Sequence, residues 1–174
     1  VAPGPYYGWA NARDADTSES TVGSFTATFN HRFSDTLHVR NALRYYHYEL
    51  DRQNTLPAGT TNEAAGTVAL TRSGVDRNEH GIFNQTELIQ NLRTGSVQHE
   101  VLYGLELGQQ NKDALSYSGG TLANVNLWNP VLPVAPLNGG GTLSGSTLNR
   151  YLTRALYLQD QVTLSPQWKL LVGL

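Results

Sequence analysis

From Thr21 onward, apolar and polar side chains take turns along the chain, and this two-residue rhythm keeps returning up to the last residue. Side chains alternate faces along an extended strand, so apolar residues at every second position give a strand with one oily face and one wet face. Gly23, Phe25, Ala27, Phe29 and Phe33 fall on one side; Ser24, Thr26, Thr28, Asn30 and Arg32 fall on the other. Ser34-Asp35 supplies turn chemistry. Beyond it Leu37, Val39, Leu43 and Tyr45 share one face, and His38, Arg40 and Arg44 the opposite one. The spacing predicts a hairpin of about fifteen residues per arm, against about five or six for a globular strand and about 9–11 for a tilted membrane-spanning one.

The rhythm recurs four more times. Residues 76–92 form a third run, with Ile82, Leu88 and Leu92 in phase and Asn84 and Thr86 on the same side. After a turn at 93–96, Val97, Val101, Tyr103, Leu105 and Leu107 oppose Gln98, Glu100, Gly104 and Glu106. A fifth run covers 148–164, with Leu152, Leu156, Leu158, Val162 and Leu164 in phase. Ser165-Pro166 then turns the chain into a sixth run carrying Trp168, Leu170, Val172 and Leu174. The connections alternate short and long. The long ones are predicted as polar loops at 53–75 and 111–147, the second holding Pro130, Pro133, Pro136 and Gly139-Gly140-Gly141. Structureless loops beyond about 12–15 residues are rare in soluble domains. Short turns at one end and long loops at the other are the habit of outer-membrane barrels.

Composition narrows the choices. Hydrophobic residues make up 39% and charged residues 15% of 174 residues, below the roughly 25% charge of a soluble domain. No run approaches the ~18 apolar residues of a membrane helix. A net charge of −2 gives no basic face for nucleic acid. The absence of cysteine removes disulfides and thiolate metal sites. There is also no methionine, and Trp168 to Leu174 stops inside an alternating run. The expectation is therefore an internal piece, with residues 1–174 forming one partial barrel domain.

A soluble sandwich would also bury an alternating face. Strand length and loop asymmetry favour lipid, and Phe33, Tyr151 and Trp168 near predicted strand ends suit an interfacial girdle. Six strands cannot close in a membrane, where about eight is the minimum and open edges are not tolerated. The fold class expected is all-β: an antiparallel up-and-down meander of about six long strands within a larger transmembrane β-barrel. In this register Arg40 and Arg44 avoid lipid, whereas Arg154 shares the phase of Leu152 and Leu156 and is placed near the outer interface.

Three segments carry a resemblance. The first runs from Arg32 through Phe33, Asp35, Leu37, Arg40 and Asn41 to Arg44-Tyr45. The second joins Asn84-Gln85-Thr86-Glu87-Leu88 through Thr94-Gly95 to His99, Leu102, Gly104 and Glu106. The third runs from Tyr157-Leu158-Gln159-Asp160-Gln161 through Leu164, Trp168 and Leu170 to Gly173. Taken in order, they resemble the barrel hairpins of TonB-dependent siderophore receptors, although Glu87 stands where Asp is common. With Tyr6-Tyr7-Gly8 they are similar to the catecholate branch. The resemblance implies a 22-stranded barrel filled by an N-terminal plug, in the bacterial outer membrane. It implies uptake of ferric siderophores energised through the TonB complex, which the plug contacts.

Such ligands are bulky and often anionic, so aromatics and arginines in or beside the outer loops are the candidates for contact: Tyr6, Tyr7, Trp9, Arg52, Arg72, Arg77, Tyr117 and Trp128. His31, His38, His47, His80 and His99 show no metal-ligand spacing and are assigned to hydrogen bonding inside the barrel. No catalytic set is visible. Asn84-Gln85-Thr86 fits a glycosylation pattern in the wrong context, and Gly104-x-x-x-Gly108 is a helix motif on a strand. No cofactor is expected, because the iron would travel inside its chelator. The partners expected are a ferric siderophore, the TonB complex and outer-membrane lipid, without nucleic acid. A passive porin-like channel, a barrel enzyme and a soluble β carrier remain the alternatives.

Overall fold

The computed structural model describes residues 8–134 and 141–174, and the backbone alone at 58–60 and 120–122. A single-turn helix, α1 (Ala12–Ala15), precedes six strands: β1 (Thr17–Arg32), β2 (Leu37–Asn62), β3 (Thr67–Thr94), β4 (Val97–Asn126), β5 (Thr142–Ser165) and β6 (Trp168–Gly173). They form one sheet in sequence order, the meander expected from the alternation. The turns are tight. The amides of Phe33 and Ser34 donate to the Leu37 carbonyl at 2.9 and 3.1 Å. Gly95 adopts φ 64° between β3 and β4, a left-handed position that glycine fills without strain. Gln159 pairs with Gly173 and Val162 with Leu170, before an irregularity between Thr163 and Ser165. No helix among the described residues is long and apolar enough to cross a membrane.

Most of the two predicted loops is strand. β2 continues to Asn62 and β3 begins at Thr67, leaving a turn at 63–66; β4 continues to Asn126 and β5 begins at Thr142. Apolar alternation marks a strand only where one face is dry. Backbone ladder bonds persist without that contrast when both faces are polar. Of the residues singled out in the second loop, Pro136, Gly139 and Gly140 lie outside those described.

The chain divides into two compact units: residues 1–22, 48–79 and 112–149, and residues 23–47, 80–111 and 150–174. The first has a small core. Val68, Leu70, Val125 and Leu127 pack together, and Trp9 packs on Ala15 with Ala12 and Ala123. Burial alternates along the start of β3, with Val68, Leu70, Arg72 and Gly74 enclosed.

The second unit buries none of its large hydrophobic side chains. Phe25, Phe29, Ile82, Tyr103, Leu105, Leu107, Leu152, Leu156 and Leu170 are all exposed, as befits a sheet with one oily face. Asn41, Asn84 and Thr86 on that face satisfy one another in place. Asn41 donates to Asn84 Oδ1 at 3.1 Å and to Thr86 Oγ1 at 2.7 Å, and Asn84 returns a bond to Asn41 at 3.2 Å. This explains the mixed phase of the third run. Four histidines depart from their assignment to the interior: His31 makes ring contacts with Phe29 and Phe33, His47 lies in phase with Leu43 and Tyr45, His80 with Ile82, and His99 with Tyr103 and Leu105, paired at 2.8 Å with Asp160. Tyr151 also differs from expectation. It lies within β5 rather than near its end, and it alternates with Leu152.

Candidate functional site

On the polar face of the second unit, Glu87 gathers side chains from three strands. Strand alternation turns Arg40 of β2, Glu87 of β3 and Tyr157 of β5 to the same side. Glu87 Oε2 accepts from Arg40 Nε at 2.7 Å and from a terminal guanidinium nitrogen at 2.5 Å. Glu87 Oε1 accepts from the Tyr157 hydroxyl at 2.9 Å and from Gln85 Nε2 at 3.2 Å. Gln85 also donates to the Tyr157 oxygen at 2.7 Å. The carboxylate, only 5% exposed, thus has four donors, which is what a buried charge requires.

Tyr157 belongs to β5 and Glu87 to β3, so the ring must cross β4. It does so over Gly104, where any side chain would run into the ring; Gly108 lies in the same way beneath Phe83. Beside this cluster is a 570 Å³ hollow lined by Thr26, Ala42, Arg44, Tyr46, Phe83, Gln85 and Glu106. Tyr46 and Phe83 stack there at 6.3 Å. The wall offers one cation, one carboxylate, an amide and two ring faces, suited to hydrogen bonding and stacking.

The described residues among those selected from sequence lie elsewhere. Tyr6 and Tyr7 are outside the described residues. Trp9 is 3% exposed. Arg72 is 1% exposed; its guanidinium donates to the Ala15 carbonyl and to Gln53 Oε1. Arg77 lies 3.7 Å from Glu79, which also has Lys112 at 3.8 Å. Trp128 is 78% exposed, at the end of β4.

Arg52 and Tyr117 come to one 220 Å³ cavity in the first unit, with Asp51, Gln53, Gly74, Val75, Asp76 and Gly141. Alternation presents the Arg52 side chain to the opposite face from Asp51 and Gln53. The cavity therefore has more acidic character than the choice of arginines suggested. Asp51 and Asp76 were missed because selection followed aromatics and cations. No group of three His, Asp or Glu side chains among the described residues is placed to hold a metal ion.

A family model described as TonB dependent receptor-like, beta-barrel, matches residues 2–174. The catecholate siderophore receptor Fiu of Escherichia coli K12 is 27% identical over 170 residues, covering 92% of this chain and 22% of that receptor. The ferrioxamine B receptor of Salmonella typhimurium SL1344 is 26% identical over 158 residues, covering 91% and 21%. The solved open form of Fiu superposes with a TM-score of 0.74 at 24% identity, over 97% of this chain and 26% of that one. The siderophore receptor PiuA of Acinetobacter baumannii gives 0.73 at 20% identity, over 97% and 26%. These superpositions bear on the fold alone. The chain spans about a fifth of the length of the curated relatives it matches.

Proposed function

Because the chain belongs to the TonB-dependent receptor β-barrel family, we propose that it forms part of the wall of an outer-membrane receptor that takes up ferric siderophores with energy delivered through TonB. The family is one of receptors rather than enzymes, and its members are outer-membrane barrels. The observation that carries the reading is the two-faced sheet. An oily face left exposed from Phe25 to Leu170 needs lipid, and the face holding Glu87, Arg40 and Arg44 needs a polar interior. In this reading the short turns point to the periplasm and the extended hairpins to the outside. The polar wall faces a plug, through which TonB acts. Iron arrives inside its chelator, so the protein supplies no metal ligands and no cofactor.

Ligand contact is assigned to the extended hairpins, with Tyr117 and the cavity beside Arg52 as the first places to test. Trp128, Arg77, Tyr6 and Tyr7 are further candidates, and Trp9 and Arg72 support the hairpins from within. The test is growth under iron limitation of a strain lacking the gene, complemented with the full-length gene, on a catecholate siderophore and on ferrioxamine B. Uptake of at least one should depend on both the gene and TonB. A passive channel would instead keep working without TonB, and that result would defeat the proposal.

A further inference from the structure

The oily face of the second unit carries two arginines, Arg150 and Arg154, in phase with Leu152 and Leu156. Both are exposed. Arg150 donates to Gln109 Oε1 at 2.6 Å. Arg154 makes no hydrogen bond or ion pair among the described residues. It borders a 290 Å³ groove lined by Leu43, Ile82, Leu107 and Leu152, with Asn84 and Gln109 beside them. Among the described residues of that face in the unit, the acid is Asp160, already engaged by His99. The local charge around Arg154 is therefore positive and unbalanced.

Position along the strand says which side of the membrane this is. Arg154 stands about 11 residues from Ser165, which at ~3.3 Å per residue and a ~40° tilt is a rise of ~28 Å, against an apolar band ~25 Å tall. The guanidinium thus reaches the rim opposite the short turns, where a long side chain can lift its charge out of hydrocarbon. We infer that Arg154, assisted by Arg150, binds a phosphate of the outer-leaflet glycolipid, with an acyl chain of the same molecule lying in the groove. A guanidinium is the group best matched to a phosphate's paired oxygens. The leucine and isoleucine walls complement a hydrocarbon chain, and Gln109 holds Arg150 in reach.

The inference rests on the membrane reading above but not on siderophore uptake. The test uses the full-length protein in phosphatidylcholine nanodiscs, titrated with purified lipopolysaccharide or with the same material dephosphorylated, bound glycolipid being counted by native mass spectrometry. The native protein should prefer the phosphorylated form by about tenfold or more, Arg154→Leu should lose about that factor, and Arg154→Lys, which keeps the charge without the paired donors, should fall between the two. Equal binding of both forms, or undiminished binding by Arg154→Leu, would overturn the inference alone. Recovery of the protein from the aqueous fraction would overturn it together with the membrane reading.

Discussion

Tyr157 reaches Glu87 only because Gly104 leaves β4 bare beneath the ring. Gly104→Ala puts a methyl group where the ring lies and expels it. The change breaks the charge-assisted bond from the Tyr157 hydroxyl to Glu87 and the bond from Gln85 to Tyr157. Charge-assisted bonds contribute about 1.5–3 kcal/mol and neutral ones about 0.5–1.5. Solvent access to the Gln85–Tyr157 bond pulls the sum toward its lower end, so the loss should be about 2 kcal/mol. Part of that sum is the half-served carboxylate left behind. The assay is equilibrium unfolding in urea of the full-length protein refolded in lipid, arranged as a double-mutant cycle with Tyr157→Ala. With the ring gone, Gly104→Ala should cost less than about 0.5 kcal/mol, so nearly all of its effect appears as coupling. If it costs the same with and without the ring, the glycine serves the backbone and the bridging account is wrong.

Other variants probe other parts. Leu70→Ala, at a side chain with no exposed surface, should destabilise the first unit by about 2–4 kcal/mol, read as faster hydrogen exchange around Val125 with exchange around Val101 unchanged. Arg72→Leu strips a donor from the Ala15 carbonyl and Gln53; a cost of about 2 kcal/mol should show as faster proteolysis at α1. Asn41→Leu makes the oily face oilier yet should destabilise by about 1 kcal/mol, because Asn84 and Thr86 lose their partner; the triple change to Leu, Leu and Val should restore stability. On the proposed uptake reading, Tyr117→Ala should weaken siderophore binding by about tenfold while the amount of protein stays constant, as quantified by immunoblot.

The alternating runs at 37–45, 97–107 and 148–164 were legible because each sets an oily face against a wet one, and the three short turns at 33–36, 95–96 and 166–167 each force the strands they join to pair as a hairpin. The hairpin extensions were not. Residues 51–62 and 111–122 have no dry face to write a period into the sequence, and the brief signals of Val68 with Leu70 and of Val125 with Leu127 sat among Gly, Thr and Asn. The phase of Arg154 could be read directly. The cluster around Glu87 could not, since it joins residues 47 and 70 positions away through a register that only the folded sheet fixes. Site selection by residue type also took Arg72 for a surface cation. Its alternation with Thr71 and Ser73, in phase with Leu70, would have argued for an enclosed position.

Strands of 26, 28 and 30 residues also constrain how such a wall can diverge. Adding one residue to the middle of β3 alone would turn the side chains beyond it in that strand inside out, exchanging the faces of Glu87 and Leu88. Length changes that survive in nature should therefore occur in even steps, or be matched across both arms of a hairpin, or be confined to the tips near residues 63–66 and 127–141. The hairpins can then grow or shrink in length while the two-faced code in the rest of each strand keeps its parity.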